Sequence, residues 1–190
     1  MKQIVADAIR IHKELLAQFE TNGIDTIVKI ADAVIACFKN GGRIYLCGNG
    51  GSAADCQHVA SELVGRFKRE RKALPAVALS TNSSTLTSVA NDYSFEDIFR
   101  RQVEGLVNKG DILWAFSTSG TSANILSAAK LAKEKNANVI AFTGKKNSKL
   151  EEISDLCFCI DSPATASAQE IHQIAYHIIC DLVEEQTTGG

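Results

Sequence analysis

The stretch Cys47-Gly-Asn-Gly-Gly-Ser-Ala-Ala-Asp-Cys-Gln-His-Val-Ala-Ser-Glu62 joins two kinds of chemistry. His58 and Glu62 are four residues apart, so on a helix they share one face, with Asp55 a turn before them. A second polar group lies near the C-terminus, where Gln169, Glu170, His172, Gln173 and His177 follow one another. Gln169, Gln173 and His177 at i, i+4 and i+8 form one stripe of a helix, bordered by Ile171, Ile174, Ala175, Ile178 and Leu182 as an expected apolar face. If the two stripes face each other, His58, Glu62, Gln169 and His177 could enclose a divalent metal. Two imidazoles and a carboxylate suit zinc. The same groups suit acid/base work by Glu62 and His177, while helix-surface polarity alone would account for either stripe.

Two glycine- or hydroxyl-rich stretches could hold an anion. Gly48-Asn49-Gly50-Gly51-Ser52 follows an apolar run and opens a helix. Glycines let backbone approach a ligand closely, and a helix start offers free N–H groups. The P-loop pattern is absent, and GxGxxG fails because residue 53 is alanine. A tight turn with a serine cap would explain the same residues. Ser117-Thr118-Ser119-Gly120-Thr121-Ser122 carries five hydroxyls in six residues. A cap needs one hydroxyl; five read as a phosphate cradle built without lysine.

The elements that must position these groups alternate. Two helices fill the first 40 residues, with Ile4, Ala8, Ile11, Leu15 and Phe19 in helical register, a break at Asn22-Gly23, and a stop at Asn40-Gly41-Gly42. Short apolar strands are expected at Arg43–Cys47, Ala76–Leu79, Asp111–Phe116, Asn138–Phe142 and Leu156–Ile160. Helices are expected at Ser52–Phe67, Ser83–Ala90, Phe95–Val107, Ala123–Lys135, Ser148–Ile153 and Thr165–Glu185. Strands separated by helices imply right-handed crossovers and a parallel sheet. The expectation is a Rossmann-like three-layer α/β/α sandwich on five parallel strands. It would be one domain over 1–190, with helices over 1–40 and the α/β core over 41–190. Apolar faces on those first helices point to a homo-oligomer.

Composition excludes several classes. Net charge is -2 with no basic stripe, which disfavours nucleic acid as partner. No run of about 18 apolar residues suggests a membrane span. The N-terminal residues lack a signal-peptide core. Cysteines 37, 47, 56, 157, 159 and 180 form no CxxC pair and read as reduced thiols of a cytoplasmic protein.

Four stretches in order, GNGGSAADCQHVASEL, VANDYSFEDIF, FSTSGTSANIL and QEIHQIAYHIICDLVE, resemble the phosphoheptose isomerases of the SIS (sugar isomerase) superfamily. The resemblance spans nearly the whole chain; STSG alone would indicate only a SIS domain. It implies a cytoplasmic homotetramer converting sedoheptulose 7-phosphate, a phosphorylated seven-carbon sugar, to D-glycero-D-manno-heptose 7-phosphate, on the route to ADP-heptose and the lipopolysaccharide inner core. By matching positions it implies that Asn49, Gly50, Gly51, Ser52, Glu62, Asn91, Asp92, Ser117, Thr118, Ser119, Ser122 and Gln169 contact substrate. Glu62 and His177 would be the acid/base pair. His58, Glu62, Gln169 and His177 would bind one zinc, as in some members. The chain departs from the family at Thr165-Ala166-Ser167-Ala168, where an arginine and an isoleucine are frequent. Two readings from other classes share parts of the pattern: a SIS adaptor that associates with a replication initiator, and a sugar-phosphate sensor without turnover. The presence of Glu62 favours the enzyme.

Overall fold

A computed structural model describes residues 1–188. Two helices open the chain, α1 (Lys2–Asn22) and α2 (Ile24–Lys39), broken at Gly23. A Cβ at Gly23 would lie 2.4 Å from the Phe19 ring, so the hinge requires glycine. Five strands follow, β1 (Ile44–Gly48), β2 (Ala76–Ala78), β3 (Ile112–Ser117), β4 (Asn138–Thr143) and β5 (Leu156–Cys159). They form one fully parallel sheet in the order β2-β1-β3-β4-β5. The connecting helices are α3 (Gly51–Val64), α4 (Ser83–Asp92), α5 (Arg100–Leu106), α6 (Ala123–Glu134) and α7 (Lys149–Ile153), and α8 (Thr165–Thr187) closes the chain.

Strand residues alternate between two cores, as the pleat demands. Ile44, Leu46, Ile112, Trp114, Phe116, Ile140, Phe142 and Phe158 face a layer made by α1, α2, α3 and α8. Tyr45, Cys47, Leu113, Ala115, Val139 and Ala141 face the layer of α5, α6 and α7. The first face carries the bulk, with rings of Trp114, Phe116, Phe142 and Phe158 4.9–5.7 Å apart in sequence. The second is lined by small side chains, which lets α6 approach the sheet through Ala128, Ala129 and Ala132. The expected α/β/α sandwich and its five strands are thus present.

Three local expectations are corrected. The helix expected over Phe95–Val107 is a 3-10 turn, Phe95–Asp97, followed by the short α5; Ile98 and Phe99 bury themselves between the two. α3 ends at Val64, three residues early, because Gly65 leaves helical geometry. On α8, Ile174 and Ile178 are 39% and 41% exposed, so they do not belong to the buried face. That face is formed by Ala168, Ile171, His172, Ala175, Tyr176, Ile179, Cys180 and Val183.

All six cysteines are free thiols; four are buried and Cys157 and Cys159 are half-buried. Burial pushes the Cys47 thiol up to about 12, which leaves it inert rather than nucleophilic.

Candidate active site and metal cluster

The sheet order places a topological switch between β1 and β3, where the chain leaves in opposite directions and the two following loops part. The glycine turn lies at the end of β1 and the hydroxyl loop at the end of β3, so both candidate anion sites occupy one crevice. Gly50 has φ +57, a value that disfavours any side chain. A Cβ at Gly48 would meet the Ser52 carbonyl at 2.6 Å. The turn is anchored by a reciprocal amide pair: Asn49 Nδ2 donates to Asn124 Oδ1 and Asn124 Nδ2 donates to Asn49 Oδ1, both at 2.9 Å. Asn124 is buried in the first turn of α6. It ties the two crevice loops together and was not among the expected site residues; its place two residues after the hydroxyl run is the one trace of it in the sequence.

The hydroxyl loop is folded on itself. Ser117 Oγ lies 3.1 Å from Ser122 Oγ and 3.4 Å from Ser119 Oγ, and Thr121 donates to Ser119 Oγ through N–H and hydroxyl. Ser122 occupies the N-cap position of α6 but its hydroxyl caps nothing. The helix N–H groups and the hydroxyls are therefore directed to the same place without satisfying each other. Gly120, at φ +63, allows the loop to lie against Ser148, which any Cβ would strike. A cavity of about 160 Å³ adjoins the loop, lined by Thr118, Ser119, Gly144, Lys145, Ser162 and Ala168. The departure at Ser167-Ala168 lies here; both residues are buried in the first turn of α8, and a Cβ on Gly144 would come within 3.2 Å of that of Ala168.

α3 and α8 run side by side from this end of the sheet, matched from Ser52–Gln169 to Phe67–Glu184. Between those points they bring His58, Glu62 and His177 together, with one donor atom of each within 4.8 Å of the others. His58 Nε2 lies 3.1 Å from Glu62 Oε1 and 3.4 Å from His177 Nε2. Glu62 is eleven residues, about 16 Å, along α3 from the turn. Helical side chains lean towards the start of their helix, so all three groups lean towards the end of α3 and α8 that carries the turn. Burial, then the neighbouring His58, lowers the pKa of His177, favouring the neutral imidazole. Phe67 stacks on the His177 ring at 5.3 Å and 20°.

Gln169 sits nearer the turn. Its Nε2 donates to Ser52 Oγ at 3.3 Å, and a Cβ on Gly51 would lie 2.6 Å from Gln169 Oε1. Asn91 and Asp92, at the exposed end of α4, pair with each other at 2.7 Å. Gln173 is exposed, and His172 is wholly buried among Phe116, Phe142 and Phe158 with its Nε2–H on the Thr143 carbonyl at 3.0 Å. The stripe expected on α8 is split: Gln169 meets Ser52, His177 joins the cluster and Gln173 is exposed, while His172, off the stripe, belongs to the core.

A parallel sheet of this order, with glycine- and hydroxyl-rich loops at its switch point and a histidine–glutamate cluster between α3 and α8, defines a Rossmann-like α/β domain. The family described as the SIS domain matches residues 9–144, and the chain belongs to that family. Its relatives are more particular. A phosphoheptose isomerase of Burkholderia pseudomallei is 46% identical over 97% of this chain and 93% of its own. Solved structures of phosphoheptose isomerases superpose closely. That from Neisseria gonorrhoeae has a TM-score of 0.92 at 37% identity, covering 97% of this chain and 98% of its own. That from Francisella tularensis has 0.93 at 34%, covering 96% and 97%. Within the SIS family, the chain belongs to the phosphoheptose isomerases. Among the described residues no helix is long and apolar enough to cross a membrane.

Proposed function

We propose that the chain is an aldose–ketose isomerase that converts sedoheptulose 7-phosphate to D-glycero-D-manno-heptose 7-phosphate, in supply of ADP-heptose for lipopolysaccharide inner core. The observation that carries this reading is the convergence of Glu62, His58 and His177 between α3 and α8, the two helices that start at the crevice end of the sheet. An adaptor has no use for a half-buried carboxylate held against two imidazoles. In this reading Ser117, Thr118, Ser119 and Ser122 take the phosphate, using hydroxyls and the free N–H groups of α6. Asn49, Gly50, Gly51 and Ser52 let the backbone come close to the sugar, with Asn91, Asp92 and Gln169 contacting its hydroxyls.

Glu62 removes the proton from C1 of the ketose while His177 gives a ring N–H proton to the carbonyl oxygen. The enediol forms. Glu62 then returns its proton to C2, and the C1 hydroxyl restores the proton of His177 as the aldehyde closes. The cluster also fits a metal: two imidazoles and a carboxylate are a zinc donor set, and Gln169 is the fourth donor on this reading. When bound, zinc supplies Lewis acidity at the carbonyl. We read the chain as a cytoplasmic homotetramer. Support comes from its apolar surface: Ile4, Val5 and Ile9 on α1, Ile24 and Val28 on α2, and Ile174 and Ile178 on α8 are all exposed. Turnover of sedoheptulose 7-phosphate by the purified chain is the decisive assay. Binding without turnover would replace the enzyme by a sensor, and neither binding nor turnover would leave the adaptor.

A further inference from the structure

Behind the cluster lies a second, buried line of polar atoms. The Tyr176 hydroxyl is 3.0 Å from His58 Nδ1 and 3.5 Å from Asp55 Oδ1. Tyr176 is wholly buried. The other Asp55 oxygen, Oδ2, is buried with no hydrogen-bond partner. The phenol has one proton and two candidate acceptors, so two arrangements fit the distances. In one, Tyr176 donates to His58 Nδ1, and His58 carries its own proton on Nε2, towards Glu62. In the other, Tyr176 donates to Asp55 and accepts from His58 Nδ1–H, leaving the Nε2 lone pair directed at Glu62 and His177.

The energetic cost separates them. In the first arrangement Asp55 loses its one donor, and a partly desolvated carboxylate is left with nothing, which costs far more than a modest hydrogen bond returns. Burial pushes the Asp55 carboxyl up to about 6, and as a carboxylate it is a stronger acceptor than a neutral imidazole nitrogen. In the second arrangement Tyr176 serves both neighbours, donating to Asp55 Oδ1 and accepting from His58 Nδ1–H, and within the line Asp55 Oδ2 alone stays without a partner. The bare Nε2 then faces Glu62 Oε1 at 3.1 Å. Two lone pairs at that separation repel unless a proton or a cation lies between them.

We propose that Asp55 and Tyr176 are positioning residues that fix the tautomer of His58 with its proton on Nδ1, so that its Nε2 lone pair points to the centre shared with Glu62 and His177. The inference deepens the metal reading above and rests on it for its purpose, although the tautomer itself can be read without metal. Partners of this kind orient an imidazole and raise its basicity, and their loss typically costs about 10–100-fold in metal affinity.

The test has two arms. In metal-free wild-type protein, ¹⁵N NMR of His58 should show a protonated Nδ1 and a bare Nε2; a His58 protonated on Nε2 would overturn the proposal. Tyr176→Phe, which removes one oxygen and keeps the ring, should populate the Nε2–H tautomer. It should also weaken Zn²⁺ binding by about 10–100-fold in competition with a chromophoric chelator. Equal zinc affinity in Tyr176→Phe and wild type would likewise overturn it. Asp55→Asn keeps an oxygen acceptor without the charge and should shift the tautomer ratio partway; an unchanged ratio would remove Asp55 from the line. A wild-type chain that binds no zinc would overturn the metal reading, while the NMR arm still decides the tautomer.

Discussion

Glu62, the base in the proposed reaction, lies 3.1 Å from one imidazole on its own helix and close to a second from the neighbouring helix. Glu62→Gln keeps size and hydrogen bonding but cannot take a proton. Turnover of sedoheptulose 7-phosphate should fall by about 10²–10⁴-fold, with circular dichroism unchanged; activity near wild type would remove Glu62 from the reaction. His172 makes a separate prediction about stability. Burial lowers its pKa to about 4, and its Nδ1 has no acceptor that would welcome a proton. The folded value lies below the unfolded 6.5, so the stability tied to the neutral ring is fully present above pH 6.5. It is lost as pH falls from 6.5 towards 4. The whole loss is about 3 kcal/mol. His172→Phe should flatten urea-unfolding stability across that window, and a slope equal to wild type would show that another group dominates. His172 and His177 lie on the same helix. Five residues on one helix turn them to different surroundings, one among phenylalanines and one beside a carboxylate, and only packing distinguishes those.

The relative placement of α3 and α8 depends on a buried clamp beyond the cluster. The Glu184 carboxylate accepts from the backbone N–H groups of Phe67, Lys68 and Arg69 at 2.7–2.9 Å. Burial pushes the Glu184 carboxyl up, but the three N–H donors and Arg71 outweigh it and hold the group below its usual range. Arg71 Nη2 donates to the Glu62 carbonyl at 2.7 Å and Nη1 to that of Leu63 at 2.8 Å, so it satisfies the orphan carbonyls at the end of α3. Both side chains are almost fully buried. Arg71→Met should cost about 3–5 kcal/mol in urea unfolding, since it strands a buried charge; a loss below 1 kcal/mol would show that water replaces the guanidinium. Gly51 offers the opposite case. A Cβ there strikes the far end of the flexible Gln169 side chain, which can swing away. Gly51→Ala should leave stability within about 0.5 kcal/mol and raise KM by about 2- to 10-fold, the worth of one lost hydrogen bond. An unchanged KM would mean that Gln169 does not hold the sugar where Ser52 now holds it.

Over the molecule as a whole, α1 is the element least supported by its own chain. Only Leu15 and Phe19 of its 21 residues are buried, while Ile4, Val5 and Ile9 are more than half exposed. Exposed apolar residues in a continuous stripe mark an interaction surface, and the homotetramer reading gives it an occupant. Val5→Glu with Ile9→Glu should shift the molecular mass measured by light scattering from the tetramer to smaller species. Retention of the wild-type mass would place the interface elsewhere.

What the sequence by itself determined follows from periodicity and local chemistry. The strand and helix alternation, the parallel sheet, the glycine break at Gly23, the hydroxyl loop and the shared face of His58 and Glu62 all depend on neighbours within one or two helical turns, and spacing reports those. Tertiary structure decided the remainder. The pairing of α3 with α8, which joins residues 119 positions apart in the His58–His177 contact, is set by side-chain fit between helices. So are the Asn49–Asn124 amide pair, the Glu184–Arg71 clamp and the Asp55–Tyr176–His58 line. The exposed Ile174 and Ile178 belong to the same class: their hydrophobicity was legible, but whether they face the chain's own core or its surface depends on the rotation of α8 against the sheet. That rotation is fixed by Phe116, Phe142 and Phe158 closing around His172, a packing solution that no local pattern encodes.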